Sequence, residues 1–561
     1  MALQAATQKM VAEFDYPASD VNKGVKEFLR EMDEGLGETG TTMSQIPTYV
    51  TAVPNGKEKG LYLAVDLGGT NFRVCSIMLK GDTTFSLVQS KVAIPKELMV
   101  AKTSQELFSF LAKQIELFLE KHHNDHFEAT VRRRRTASAS EGYKDQEYFQ
   151  LGFTFSFPVQ QVGINKGYLI RWTKGFDIKD TVGKDVCSLL QDEINALQLP
   201  VKVAALVNDT VGTLMARSYT SPNRTSTLLG AIFGTGTNGA YVEKLDQVKK
   251  LSIGESSKDY DQTTGDMIIN TEWGSFDNHL SALPNTPYDD ALDKESNNPG
   301  IQMFEKRISG MFLGEILRRA LLVLANNTEA AFCSDVDSSK NDIRSTASIG
   351  PNSTLYKQWG LDTSFLSVVV GDTTPTLKIV RQALEKDLDI DAASYEDAVT
   401  VKALAYAVGR RAARLSAVAI GAIVLKSHRL ETDDVIDVGV DGSLVEYYPN
   451  FEEMIREALR EIPEIGPMGE RKIQIGIAKD GSGVGAALIA WSAAQRYSGS
   501  SDESNEAETP SDPTNPASNA NVDTVADPNR RPSLGQKIKH SFRRSISGLL
   551  GKNDNEASPS T

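Results

Sequence analysis

Cysteine is nearly absent from this chain, with three residues in 561: Cys75, Cys187 and Cys333. An odd, widely spread set offers no disulfide framework, so the expected setting is reducing and cytoplasmic, with buried thiols. No apolar run reaches the ~18 residues a spanning helix needs. The nearest, LSAVAIGAIVL at 415–425, suits a core helix. The opening MALQAATQKMVAEFDYPASD lacks a basic start followed by a long apolar stretch, which argues against a secretory signal. Positive charge is also scarce. A formal net charge of -14 argues against a general nucleic-acid binder and favours small ligands or proteins as partners. Three ATP-handling motifs are missing as well: there is no G-x-x-x-x-G-K-[ST] loop, no V-A-I-K strand and no H-R-D loop. Any ATP chemistry here follows neither the P-loop nor the protein-kinase plan.

What is present is a soluble α/β composition, 40% hydrophobic and 24% charged, in a chain too long for one core. Val21, Val25, Phe28, Leu29 and Met32 recur at helical spacing between Ser19 and Gly35, predicting a capped amphipathic helix. LYLAVDL, NFRVCSIML and TFSLVQSKVAI then read as a strand meander, SQELFSFLAKQIELFLEKHH as a helix, and EYFQLGFTFSFPV as strand. A second cycle starts near 200: VKVAALVNDTVGTLMARSY predicts strand into helix, and TLLGAIFGTGTNGAYVEKL predicts strand, glycine turn and strand. Gly69-Thr70-Asn71 and Gly236-Thr237-Asn238 are matching cores 167 residues apart, so two copies of one unit with a ligand between them are expected. GTGTNG also fits G-x-G-x-x-G, but AYVEKL continues as strand where a dinucleotide fold needs a helix.

The glycine turns suggest phosphate. Gly68 and Gly69 leave main-chain N–H groups open to an anion, Asp66 at the strand end suits a hydrated Mg2+, and Thr70 and Arg73 add a hydroxyl and a fixed positive charge. An ordinary hairpin turn is the structural alternative. In VNDT, Asp209 suits a general base, while Asn208 and Asp209 equally suit a helix cap. In GSGVGAALIAWSAAQ, small residues opening a helix admit either a flat ligand or a second helix.

LGFTFSFPVQQVGINKGYLIRWTKGF at 151–176 resembles the hexokinase signature along its whole length. VDLGGTNFRV, LVNDTVGTL, IFGTGTNGAY, NTEWGSFDN and FEKRISGMFLGEILR resemble that family's other blocks, in the family's order, and GVDGSLVEYYP and AKDGSGVGAALIA are similar to its adenosine-side segments. The resemblance covers about 20–498, with wording closest to fungal glucokinases and hexokinases.

It implies a duplicated two-domain fold of the actin-like ATPase (ribonuclease-H-like) class with a ligand cleft between the domains. The expected domains are an N-terminal helical segment at 1–60 packing on the large domain, a small domain at 61–205 completed by 482–498, and a large domain at 206–481. It further implies ATP-dependent phosphorylation of glucose, and of other hexoses, at the 6-hydroxyl, the first step of glycolysis. A hexokinase-like glucose sensor with little catalysis is the alternative. The implied roles are Asp209 as base; Ser156, Thr173, Lys174, Asn208, Asn238, Glu272 and Glu305 around the sugar, with Lys174 also facing the moving phosphoryl group; and Asp66, Gly68, Gly69, Thr70, Asn71, Arg73, Gly234, Thr235 and Gly236 at the phosphates. Gly442, Ser443, Gly481, Ser482 and Gly483 would border adenosine, and Mg2+ would meet Asp66 through water.

Two segments depart from the family. A basic insert at about 124–148 carries RRRRTASAS, with Thr136, Ser138 and Ser140 as phosphorylation candidates, and RRPSL in the tail offers Ser533. From 499 the composition turns polar and acidic, predicting disorder. At 534–550, Leu534, Ile538, Phe542, Ile546 and Leu549 fall on one helical face among lysines and arginines, which suits contact with an anionic membrane or a partner protein, against the alternative of a solvated tail.

Overall fold

A computed structural model describes residues 2–69, 71–124, 127, 148–221, 226–252, 260–333, 348–478 and 480–499. Thr70, most of the basic insert with Thr136, Ser138 and Ser140, Lys479, and the tail with Ser533 and its basic amphipathic segment lie outside the described residues.

Two helices open the chain, α1 (Ala2–Glu13) and α2 (Ala18–Gly37). The expected apolar stripe of α2 is buried, Val21, Val25, Phe28 and Met32 among it. Ser19 is not its cap: the N-cap position is Pro17, without a side-chain bond, and Ser19 already sits in the first turn. A two-residue strand, β1 (Ile46–Pro47), precedes the meander of β2 (Lys59–Leu67), β3 (Asn71–Lys80) and β4 (Phe85–Ala93). Helix α3 (Ser104–His122) leads to β5 (Phe149–Phe155), the hairpin of β6 (Val159–Gly163) and β7 (Lys166–Leu169), α4 (Val186–Ala196) and β8 (Val201–Val207). Strand β8 feeds α5 (Asp209–Thr220), and the pattern restarts with β9 (Thr227–Phe233), β10 (Thr237–Lys244) and β11 (Asp266–Asn270). Then follow α6 (Gly310–Asn326), α7 (Tyr395–Lys426), β12 (Ile436–Asp441), β13 (Ile473–Ile477) and α8 (Gly481–Gly499).

The duplication is visible in topology. One sheet runs β4-β3-β2-β5-β8, and the other runs β11-β10-β9-β12-β13 with β1 added at its edge. In each, the first three strands form an antiparallel meander and the last two join it in parallel. Each glycine turn therefore joins the first two strands of its copy, beside the carboxyl end of the neighbouring parallel strand.

Each sheet has its own apolar core, and α2 and α7 belong to that of the second sheet. A third core contains Ala64, Ala204, Ala240 and Ile268 from the two sheets with residues of α5 and α8. Helices α5 and α8 approach closely: a Cβ added at Gly485 would lie 2.2 Å from Gly212 Cα, and one at Gly212 would lie 2.5 Å from the Gly481 carbonyl oxygen. At Gly481 and Gly485 the small residues thus serve helix packing. The far end of α5 is tied down by Arg217, whose guanidinium meets Asp437 of β12 at 2.5 Å, with both side chains buried. LSAVAIGAIVL lies inside α7, no helix of the described residues is long and apolar enough to cross a membrane, and all three cysteines are buried thiols.

Candidate active site

Strand β8 is buried along nearly its whole length, so the first residues after it emerge at the sheet's end. Asn208 is the N-cap of α5, its side-chain oxygen accepting from the Thr210 N–H at 2.9 Å. This divides the two readings of the pair: Asn208 caps, and Asp209 occupies the first helical position, where the helix terminus favours an anion. Asp209 is half-buried and also accepts from the Thr210 N–H, at 2.9 Å. Desolvation nevertheless raises its pKa from 3.8 to about 6; Lys174 opposes that rise, and Asp66 and Glu272 reinforce it.

The glutamates come from the second copy. Glu272 sits in left-handed backbone, φ 54°, held by the Asn270 amide at 2.8 Å and the Asn238 amide at 3.4 Å. Burial raises its pKa, while these amides and the cationic Arg171 lower it. Asn238 also donates to the Asn270 side-chain oxygen at 2.8 Å, so the three polar groups form one relay. Glu305 accepts from the Thr237 N–H at 3.2 Å, and burial pushes its pKa up to about 7. Gly236 has a local reason to be glycine, since a Cβ there would lie 2.8 Å from the Glu305 carboxylate.

From the first copy come Ser156, Thr173 and Lys174. Trp172 stacks on Phe176 at 5.2 Å and packs edge-on to Phe157 at 4.8 Å, which fixes the turn carrying Thr173 and Lys174. Lys174 takes a left-handed φ of 57°, and its ammonium donates to the carbonyls of Gly68 and Ser156 at 2.8 and 2.9 Å. It therefore bridges the β2–β3 glycine turn and the end of β5.

At the first glycine turn, the β2–β3 register sets Asp66 opposite Arg73, whose guanidinium meets the carboxylate at 3.2 Å. Arg73 also donates to the Ser482 hydroxyl and lies 3.6 Å from Asp480. A Cβ at Gly68 would sit 3.2 Å from the other Asp66 oxygen, and among the described residues one at Gly69 would meet nothing within 4 Å. Asn71 opens β3 at the end of this turn. In the second copy, the carbonyls of Gly234 and Thr235 accept from Gly310 and Met311 at the start of α6. Gly442, φ 114°, lies so close that its Cβ would fall 2.7 Å from the Gly234 nitrogen. Ser443 opens the short helix that follows. Around Gly483 a Cβ would meet only Cys75 and Arg73, at 3.8 and 3.9 Å.

These contacts and mutual electrostatic influences link Glu305, Glu272, Asp209, Lys174, Asp66, Arg73, Asp480 and Asp441 in one connected set. Four members of the site escaped the sequence reading: Asn270, Arg171, Asp441 and Asp480. The two aspartates had a signal, because Asp441-Gly442-Ser443 and Asp480-Gly481-Ser482 repeat one tripeptide, each with its aspartate beside glycine as Asp66 nearly is. Asn270 and Arg171 adjoin recognised residues but carry no spacing that marks them.

Two Hexokinase family models match the chain, over residues 6–219 and 228–492. It is 62% identical over 489 residues to a glucokinase of Aspergillus niger, covering 87% of this chain and 97% of that protein. To hexokinase-2 of Schizosaccharomyces pombe it is 41% identical over 500 residues, covering 88% and 98%. A solved hexokinase from Schistosoma mansoni, complexed with glucose, aligns with a TM-score of 0.68 at 31% identity, over 87% of this chain and 99% of the other. With its duplicated sheets and its carboxylates gathered at the glycine turns, this chain belongs to the hexokinase family.

Proposed function

We propose that this enzyme transfers the terminal phosphoryl group of ATP to the 6-hydroxyl of a hexose, glucose foremost, with Asp209 as the base. The observation that carries the assignment is the setting of Asp209: a carboxylate at a helix N-terminus, raised to about 6 and under the influence of Lys174 and Glu272. Such a group is ionised at neutral pH yet basic enough to accept the hydroxyl proton as the oxygen attacks. Glu272, Glu305 and the Asn238–Asn270 relay offer acceptors and amides to the hexose hydroxyls, and Ser156 and Thr173 approach from the other copy. Lys174 stabilises charge on the transferring group once closure frees it from the two carbonyls.

ATP lies along the glycine turns, its phosphates between Gly68–Asn71 and Gly234–Gly236 and its adenosine toward Gly442, Ser443 and Gly483. The Asp66 carboxylate suits a hydrated cation, and Mg2+ arriving with ATP would be held there through water, neutralising phosphate charge. We assign 61–205 with 482–498 to a small domain, 206–481 to a large one and 1–60 to the large domain's flank, in a cytoplasmic protein. Shutting the cleft brings Ser156, Thr173 and Lys174 onto the hexose and excludes water, the competing acceptor. No member of the site is missing, so nothing favours a sensor without turnover.

Mixing the protein with glucose and Mg-ATP tests the assignment: hexose-dependent ADP release that Asp209→Ala abolishes is expected. Glucose binding by the wild type without ADP production would overturn it.

A further inference from the structure

Helix α2 lies directly behind the two sugar-site glutamates. Its Phe28 ring is 6.3 Å from Trp273, which follows Glu272, and 6.1 Å from Phe304, which precedes Glu305. It also packs at 4.8 Å on Phe276. Just under one turn further along α2, Glu31 is 3% exposed and accepts the backbone N–H of Asp277, at 3.2 and 3.3 Å from its two oxygens. Asp277 stands in left-handed backbone, φ 48°, and its own carboxylate is fully buried. That carboxylate takes the N–H groups of Ser281, Ala282 and Leu283 at 2.8, 2.7 and 2.7 Å. The exit of the 272–277 turn is thereby held by a side chain 246 positions away in sequence.

We propose that Glu31 is a positioning residue for hexose binding: by pairing the Asp277 N–H it fixes the turn that presents Glu272. The constraint extends to the second glutamate, because the Trp273 indole donates to the Thr237 hydroxyl at 3.0 Å and the Thr237 N–H donates to Glu305 at 3.2 Å. This rests on the reading of Glu272 and Glu305 as hexose ligands. Space-filling alone does not explain a carboxyl group here. An apolar side chain of equal length would pack beside Phe28 without desolvating an acid, but it would leave the Asp277 N–H buried and unpaired. Burial disfavours the ionised form and carries Glu31 to about 7; the hydrogen bond from the Asp277 N–H opposes the rise, as does Arg30, 3.7 Å away, while the carboxylates of Asp277 and Glu27 add to it. What the buried Asp277 N–H requires of this position is an acceptor, and the amide oxygen of glutamine meets the same need.

Glu31→Met keeps the volume and removes the acceptor; Glu31→Gln keeps both. The methionine variant is expected to raise the hexose KM by about 10-fold, the scale of one buried donor left unpaired. The ATP KM and the kcat per active site should stay within about 3-fold, and Glu31→Gln should restore the wild-type hexose KM. An unchanged hexose KM in the methionine variant, equal rises in both KM values, or no rescue by glutamine would overturn the proposal. Hydrogen exchange of the 273–283 segment in ligand-free wild type supplies a test that needs no variant. Protection of the Asp277 amide is expected, and exchange as fast as in an exposed loop would refute its pairing. Glu272→Gln, run alongside, separates the two readings: a normal hexose KM in that variant would refute the ligand assignment, whatever the Glu31 variants do.

Discussion

Replacing Asp209 by asparagine should damage activity and improve stability, and the two effects have one cause. The side chain keeps its shape, and its oxygen can still accept from the Thr210 N–H, but it can no longer take a proton. Loss of a positioned general base lowers turnover by about 10²–10⁴-fold. The stability effect follows from the rise of the wild-type group from 3.8 to about 6. That rise is roughly two pKa units at 1.36 kcal/mol each, an upper figure of about 3 kcal/mol. Solvent in the cleft screens part of it, so about 1–3 kcal/mol is expected. The sign is fixed by linkage. A carboxyl raised in the folded state favours folding below its unfolded pKa, and that contribution is lost as pH rises through about 6. Asparagine escapes the loss, so the variant should match wild type near pH 4 and exceed it above pH 7. Denaturant midpoints at several pH values, beside hexose-dependent ADP release, measure both effects. Turnover within 10-fold of wild type, or a variant less stable than wild type at pH 8, would refute the reasoning.

The kcat/KM for hexose should fall on acidification with an apparent pKa near 6, since Asp209 must be ionised, and the protonation of Glu305 near 7 should broaden that limb; a flat profile from pH 8 to 5 would contradict both assignments. Gly236→Ala drives a methyl group toward the Glu305 carboxylate, 2.8 Å away, so the hexose KM should rise by about 10-fold, on the 1–3 kcal/mol scale of overpacking, and more than the ATP KM; steady-state kinetics with each substrate varied would show the reverse if the glycine serves only phosphate. Arg217→Met strands Asp437 in the core with the Thr227 hydroxyl at 2.7 Å and should cost about 3–5 kcal/mol by urea unfolding, with much of it recovered when Asp437→Leu is added. Gly212→Ala should cost about 1–3 kcal/mol at the α5–α8 contact, checked by the same unfolding assay.

The strand–turn–strand units were legible in the sequence because each rule involved is local. β2, β3, β9 and β10 are short apolar runs broken by glycine, and the repeat of Gly69-Thr70-Asn71 at 236–238 announces the second copy. The families of residues at the cleft were legible for the same reason, since they sit at the ends of those runs. Helix α1 was not. It buries little more than Thr7 and Met10, so its apolar signal is weak, and much of its anchoring comes from the chain after it: Phe14 stacks on Tyr288 at 5.4 Å and lies 5.0 Å under the Arg411 guanidinium. The glycines were read by type but not fully by purpose. Among the described residues Gly69 faces open space, whereas Gly68, Gly481, Gly485 and Gly236 answer to neighbours that only the folded chain supplies.

What the sequence could not carry is the backbone conformation of the site. Lys174, Glu272, Asp277 and Asp480 all hold left-handed φ angles, between 48° and 57°, although none is glycine. Each such residue costs about 1–3 kcal/mol unless its surroundings over-determine it. Some of those surroundings are near in sequence and others far: the Trp172–Phe176 stack and the carbonyls of Gly68 and Ser156 for Lys174, the Asn270 and Asn238 amides for Glu272, Glu31 for Asp277, and Arg73 for Asp480. A motif records which side chain does the chemistry, but not which partners, inside the motif or outside it, hold the strained backbone that aims it. Helix α2 supplies one of these supports, Glu31, from outside the signature blocks, so substitution there should alter substrate binding while every signature residue stays in place.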